Sequence, residues 1–338
     1  MLQIAVIGHG YWGPNIVRNF MQIPTSQVRA VSDLDEEKLK SVQALYPGVR
    51  TSTRYEDLLE DEQVDAIAIV TPVSTHYELA SRALDAGKHV LVTKPFTNSS
   101  AQAEELIAKA EAKGLVLMVD HTFVYTGAVR KIHALIETGD LGEIYYYDST
   151  RVNLGLFQHD VNVLWDLAVH DLTIMDYVLN KLPTGLVATG INHVPGEPEN
   201  VAYLTLFFEE HLIAHINVNW LAPVKVRQTL VGGSERMIVY NDIEPSEKIR
   251  VYDRGVDYHS DPENIYEMLI SYRSGDMWAP HLDLTEALRT EALHFVDCVE
   301  NGTTPITDGQ AGLRVVKILE AADQSMAQHG SYVELDWS

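Results

Sequence analysis

Leu2-Gln3-Ile4-Ala5-Val6-Ile7, followed by Gly8-His9-Gly10-Tyr11-Trp12-Gly13-Pro14, is a short apolar run that stops at a G-x-G-x-x-G turn, with proline where a helix would begin. Such a turn suits a phosphate. Gly8 permits the tight bend, Gly10 lets the backbone approach a pyrophosphate with no Cβ in the way, and Gly13 lets the following helix pack close to the strand. Pro14 lacks an N–H where none is needed and presets φ for the first helical turn. Asn15 to Met21 continue that helix, its positive N-terminal end aimed at the anion, with Tyr11 and Trp12 in the loop beside it.

A glycine turn alone is a weak signal, so its surroundings decide. A second apolar strand (Val28, Ala30, Val31) ends at Asp33, twenty residues beyond Gly13, where a dinucleotide site places a carboxylate on the adenosine ribose. The plainer role for Asp33 is to end the strand or cap a helix starting near Asp35. On the dinucleotide reading, an acid here repels a 2′-phosphate, so NAD is expected rather than NADP.

Further along, strands and helices alternate. Glu36 to Tyr46 reads as a charged surface helix, Val64 to Val70 as a buried strand ending in Thr71-Pro72-Val73-Ser74-Thr75-His76, and a helix then runs to Gly87. His89 to Val92 is a strand closing in Thr93-Lys94-Pro95; Ser99 or Ser100 caps a helix to Lys113, and Leu115 to Val119 is another strand. This rhythm implies a parallel sheet covered on both faces, with ligands bound beyond the strand C-termini, where Gly8, Asp33, Thr71 and Lys94 lie.

From about Gly142 the pattern becomes one of consecutive strands. Ile144 to Val152, Val201 to Phe208, Leu212 to Trp220, Thr229 to Val231 and Arg236 to Tyr240 suggest a largely antiparallel sheet. Leu212, Ala214, Ile216, Val218 and Trp220 form one face, while His215, Asn217 and Asn219 point the other way. Residues 253–282 read as a long loop or partly helical excursion. Asp283-x-x-Glu286 reads as a capping box opening a helix to Val299, and Asp308 opens the last helix, ending near Gly330. The expected fold class is α/β: an N-terminal Rossmann domain over residues 1–122 and a C-terminal α+β domain over 123–338 with a large open, mostly antiparallel sheet. The last helices are expected to pack back on the first domain, and the open sheet face on a partner subunit, giving a homodimer or homotetramer.

Composition narrows the function. The 338 residues are 46% hydrophobic and 22% charged, as in a soluble globular protein of two ordinary domains. A formal charge of −23 argues against nucleic acid and anionic membranes as general partners. With no apolar stretch of membrane-spanning length and a strand directly at the start, a cytoplasmic location is the default expectation. The single cysteine, Cys298, fits a buried helical position, and histidines such as His211, His215 and His281 show no metal-ligand spacing, so no metal is expected.

A redox cofactor needs a partner that handles a proton. Lys94 stands at the end of a buried strand, where a cation is otherwise an odd choice. Asp166 and His170 are four residues apart in a stretch that reads helical through Leu179, which puts a carboxylate and an imidazole on one face. Histidine titrates in the range that alcohol oxidation needs, and lysine polarises the reacting oxygen. A surface ion pair, with Asp171 adding local charge, accounts for the same spacing.

These residues together resemble the Gfo/Idh/MocA oxidoreductases, which include glucose-fructose oxidoreductase and inositol 2-dehydrogenase. The resemblance runs through the glycine turn, Thr71-Pro72 with His76, Ala86-Gly87-Lys88-His89-Val90 before Lys94-Pro95, Asp166-x-x-x-His170, Thr307-Asp308-Gly309 and Leu319-Glu320-Ala321-Ala322. It implies an NAD-dependent dehydrogenase of sugars, polyols or nucleotide sugars. His170 would be the general acid/base, Lys94 would orient the hydroxyl, and Asp166 would hold a substrate hydroxyl or the histidine. The family usually has glutamate before the lysine, where this chain has Thr93, which is left to donate one hydrogen bond near the nicotinamide ribose. Gly10-Tyr11-Trp12-Gly13-Pro14-Asn15 and Arg151-x-Asn153-Leu154-Gly155 resemble a branch associated with sugar-nucleotide metabolism. Arg151 and Asn153, with Tyr125, Tyr272 and Arg273, are candidate substrate contacts. Two rival functions share the fold: an NAD-dependent glycoside hydrolase and a non-catalytic dinucleotide sensor.

Overall fold

The structure is a computed structural model in which residues 1–155, 159–253, 255–259 and 269–337 are described. The chain folds as two compact units, Met1–Thr126 with Thr285–Glu320 and Gly127–Leu284 with Ala321–Ser338.

In the first unit β1 (Leu2–Ile7), β2 (Ser26–Ser32), β3 (Arg50–Ser52), β4 (Ala66–Ile69), β5 (His89–Thr93) and β6 (Leu117–Asp120) form a six-stranded sheet in the order β3-β2-β1-β4-β5-β6. All its pairings are parallel. Central β4 is apolar throughout and every one of its residues is buried, as a strand covered on both faces requires. The connecting helices are α1 (Gly13–Met21), α2 (Glu36–Leu45), α3 (Glu56–Leu59), α4 (His76–Asp85) and α5 (Ser100–Lys113). Asp35 caps α2 by accepting from Glu37 N, and Ser99 caps α5, which stops at Gly114 in a left-handed conformation (φ +64°). The short β3 carries no apolar run and was not legible as a strand.

The second unit begins with α6 (Gly127–Glu137) and β7 (Ile144–Leu154). A π-helical turn, Leu164–Ala168, then leads straight into α7 (Val169–Leu179). The remaining strands are β8 (Gly185–Ile191), β9 (Val201–Phe207), β10 (Ile213–Asn219), β11 (Leu221–Gly233), β12 (Met237–Asn241), β13 (Ile249–Tyr252), β14 (Gly255–His259), β15 (Leu269–Arg273), β16 (Met277–Trp278) and β17 (Val333–Glu334). Nine of the described strands form one sheet, β16-β13-β12-β11-β7-β10-β9-β8-β17. It is antiparallel except where β10 runs parallel to β7. Ala214, Ile216 and Val218 of β10 are buried, whereas Ile213 and His215 face the other side. The 253–282 stretch, expected as a long loop or partly helical excursion, contains strands: β14 pairs with β15, and β16 joins the large sheet. Positions 254 and 260–268 of that expectation lie outside the described residues.

Two late helices return to the first unit: α8 (Ala287–Asn301) and the first part of α9 (Gly309–Ala327). The helix expected to open at Asp283 begins later, with Glu286 rather than Asp283 at its N-cap. Glu286 occupies the N-cap of α8 without a capping bond, because its carboxylate is taken by the Arg18 fork at 2.5 and 2.9 Å and by Asn19. This clamps α8 on α1, where Phe20 and Phe295 also meet edge to face at 6.1 Å.

Gly8 fixes how closely the first turn lies on the sheet. Its φ is +97°, and a Cβ there would stand 2.2 Å from the Val70 carbonyl oxygen. Gly8→Ala is expected to cost more than about 1 kcal/mol of stability, read as a lowered urea midpoint with an unchanged slope.

Candidate active site

Along the C-terminal ends of the first unit's strands, the glycine turn is held from several sides. Asp33, just past β2, accepts from His9 N at 2.6 Å through Oδ2 and from Asp35 N at 2.9 Å through Oδ1, with Lys38 Nζ at 3.5 Å. Burial alone would raise this carboxyl, but the backbone N–H groups of Asp35 and His9 and the Lys38 ammonium outweigh it and hold it below the usual carboxylate range. The carboxylate therefore stays ionised at neutral pH while tying β2 to the turn.

The three glycines differ in what surrounds them. A Cβ on Gly13 would meet the Gly8 carbonyl oxygen at 2.7 Å, whereas one on Gly10 would meet nothing within 4 Å. Gly10 thus leaves open backbone beside the N-terminus of α1, whose N-cap, Trp12, makes no side-chain capping bond. Tyr11 is 94% exposed. An anion of pyrophosphate type fits this arrangement of open backbone and helix terminus.

After β4 and β5 the turns are stitched together. His76 is buried, with Nδ1 2.8 Å from the Pro95 carbonyl oxygen and Nε2 2.8 Å from that of Thr71. Burial lowers its pKa, against the carbonyl oxygens of Thr71, Pro95 and Phe96, and the Lys94 ammonium lowers it further. His76, expected to touch the cofactor, instead fastens one turn to the other. Pro72 starts a short 3₁₀ turn, and the Thr71 and Thr75 hydroxyls pair at 2.7 Å. Thr93 donates its hydroxyl to the Ile69 carbonyl at 3.2 Å. Lys94, half-buried, follows at the strand end before a cis proline. His121, wholly buried, is lowered to about 3 by burial and by the Lys94 charge and so remains neutral.

Tyr125 and Arg151 are not offered to a ligand. Tyr125 follows β6 in a 3₁₀ turn that drives it inward, where its hydroxyl meets Thr307 Oγ1 at 3.1 Å. Since Thr307 gives its own proton to the Val119 carbonyl, Tyr125 is the donor. Arg151 faces the buried side of β7, is 3% exposed, and grips Asp171 through Nε at 2.6 Å and a terminal nitrogen at 3.2 Å. Ser149 adds a third bond to that carboxylate at 2.6 Å. Asn153, two residues on, is half-buried. Arg273 pairs with Asp253 at 2.5 Å, and the Tyr272 side chain lies outside the described residues.

The π-helical turn and the start of α7 present the expected carboxylate and imidazole. From Asn162 to Met175, Asp166 and His170 are the two residues that are not buried. A π-helix turns 4.4 residues per turn against 3.6, so the spacing of four keeps both on one side whichever helix is counted. Asn162 caps the turn, accepting from Leu164 N at 3.0 Å and Trp165 N at 3.3 Å. Asp323 takes the Asn162 amide and the Trp165 indole, both at 2.7 Å. Trp220, between β10 and β11, donates to Asp166 Oδ2 at 3.1 Å. Its indole was readable in sequence as a core residue ending an alternating strand; its polar task was not. No group of three or more potential metal-ligating side chains occurs among the described residues.

Residues 2–121 match the family model described as oxidoreductase family, NAD-binding Rossmann fold, and residues 129–239 match the GFO/IDH/MocA C-terminal domain, together more than half of the chain. The chain is similar to UDP-N-acetylglucosamine 3-dehydrogenase of Acidithiobacillus ferrooxidans, at 26% identity over 93% of this chain and 94% of that one. It is also similar to myo-inositol 2-dehydrogenase of Thermotoga maritima, at 23% identity over 98% of each. In fold it is similar to GenD2 from gentamicin A biosynthesis, solved in complex with NAD, with a TM-score of 0.83 over 99% of this chain and 96% of that one at 23% identity.

Removing one partner of a buried ion pair strands the other. Arg151→Ala is expected to destabilise the fold by about 3–5 kcal/mol, measured by chemical denaturation.

Proposed function

The chain belongs to the Gfo/Idh/MocA oxidoreductase family, and on that premise we propose that it is an NAD-dependent dehydrogenase acting on a ring secondary alcohol of a sugar or nucleotide sugar. The observation that carries this reading is the pair Asp166 and His170, four residues apart and the two members of an otherwise buried stretch that are not buried. The names of the two enzyme relatives, one for a nucleotide sugar and one for an inositol, support the substrate class.

Gly8 to Gly13 receive the pyrophosphate and Asp33 the adenosine ribose. The ionised Asp33 disfavours a 2′-phosphate, so NAD is preferred over NADP. Bound NAD supplies the hydride acceptor. Lys94 orients and polarises the hydroxyl, His170 takes its proton, and Asp166, itself held by Trp220, keeps a substrate hydroxyl or the imidazole in place. The balance is alcohol and NAD to carbonyl, NADH and one proton.

On the face of the large sheet that includes Ile213 and His215, Tyr203 is 45% and Ile213 43% exposed, with the Tyr203 and His215 rings stacked at 6.3 Å. A homo-oligomer joined through this face is part of the proposal. Light scattering is expected to return a dimer or tetramer; a monomer at micromolar concentration contradicts it.

With purified protein, NAD and a panel of nucleotide sugars, free sugars and inositols, NADH absorbance is expected to rise with one substrate. His170→Ala is expected to lower that rate on the order of 10²–10⁴-fold with NAD affinity unchanged. Equal turnover in mutant and parent removes His170 from the mechanism. Sugar released without NADH formation favours the hydrolase reading instead.

A further inference from the structure

The first unit contains a buried carboxyl that the chemistry above does not use. Glu291, on α8, is wholly buried, and neither of its carboxyl oxygens receives an N–H or O–H at full hydrogen-bonding geometry. It faces the carboxylate of Asp120, the last residue of β6. Asp120 already accepts on both oxygens, from Trp12 Nε1 at 2.7 Å on Oδ2 and from the Thr122 hydroxyl at 2.5 Å on Oδ1. Two carboxyl groups in contact away from water repel each other unless one holds a proton. Asp120, with two donors aimed at it, is the acceptor; Glu291 is the acid.

We propose that Glu291 carries a proton in the folded protein and donates it to Asp120, so fixing the carboxylate that holds Trp12, and that it is thereby a positioning residue for dinucleotide binding. The proposal rests on the reading of the glycine turn as the dinucleotide site. Trp12 is the N-cap of α1 and immediately precedes Gly13, so its bond to Asp120 sets the helix terminus on which the anion would rest. α8 is held on α1 independently, through Glu286 with Arg18 and through Phe295 with Phe20. The position of Glu291 is therefore imposed by packing, and its charge state is what can vary.

The surroundings favour the neutral acid. Burial, then the Asp120 charge, pushes the Glu291 carboxyl well above its ordinary range, against weaker approaches by the Thr122 hydroxyl and the His121 backbone N–H. From the turn after β6, the Tyr125 phenol faces the same space, itself raised by burial and by Glu291. An acid raised in the folded chain contributes stability that is complete below the ordinary glutamate pKa and is lost as pH rises toward its folded value. Ionisation sets two negative charges against each other, frees Asp120 from Trp12 and weakens the dinucleotide.

The test compares the full-length parent with Glu291→Gln, which keeps an N–H donor for Asp120 but cannot ionise, and with Trp12→Phe. NADH dissociation constants are measured by fluorescence between neutral and alkaline pH, with thermal unfolding of the cofactor-free proteins alongside. The parent is expected to lose affinity by roughly tenfold per pH unit once Glu291 ionises. Glu291→Gln is expected to hold its affinity level, and Trp12→Phe to bind weakly at every pH. The unfolding midpoint of the parent is expected to fall against that of Glu291→Gln as pH rises. Parallel profiles for parent and Glu291→Gln, or lost binding in a folded Glu291→Gln, overturn the assignment of Glu291 alone. A parent that binds no NADH at any pH overturns the dinucleotide reading, and the positioning role with it.

Discussion

The turn after β1 lies so close to the end of β4 that no side chain fits at Gly8, and much of the first unit follows from that approach. With the backbone pressed there, Asp33 reaches His9 N from the end of β2, and Trp12 reaches Asp120 at the end of β6. The strand ends on either side of β1 are thus fastened to one loop. Gly10 is the member of the motif left without neighbours, which is the place where open backbone is useful.

A comparable economy governs the second unit. The Arg151–Asp171 pair, with Ser149, sits directly behind His170 in sequence and anchors the first turn of α7 to β7. Asn162, Asp323 and Trp220 fasten the preceding π-helical turn. Asp166 and His170 are accordingly carried on backbone held from two directions, and neither depends on a loop for its position.

Much of this was legible in sequence because it is local. The glycine turn, the near-continuous apolar strands and the period-2 alternation of β10 each announce themselves within a dozen residues. The partners of these elements do not. Trp12 and Asp120 are 108 residues apart, and Arg18 and Glu286 are 268 apart. Glu286 read as a capping residue because its local spacing is right, and a distant arginine outcompeted the cap. Arg151 and Tyr125 read as substrate contacts because polar groups on a strand or turn are usually exposed, and their burial depends on Asp171 and Thr307, which no local pattern reveals. β3 and β17 escaped notice because three-residue and two-residue strands carry no periodicity.

The central claim is hydride transfer from a sugar carbon, and isotope transfer tests it most directly. Protein with bound NAD is incubated with nucleotide sugars, sugars and inositols deuterated at their ring carbons, and the dinucleotide is then analysed by mass spectrometry. The account predicts one deuterium in the NADH formed with a matching substrate, on the single nicotinamide face that received it. A dinucleotide that stays unlabelled across the panel would contradict it.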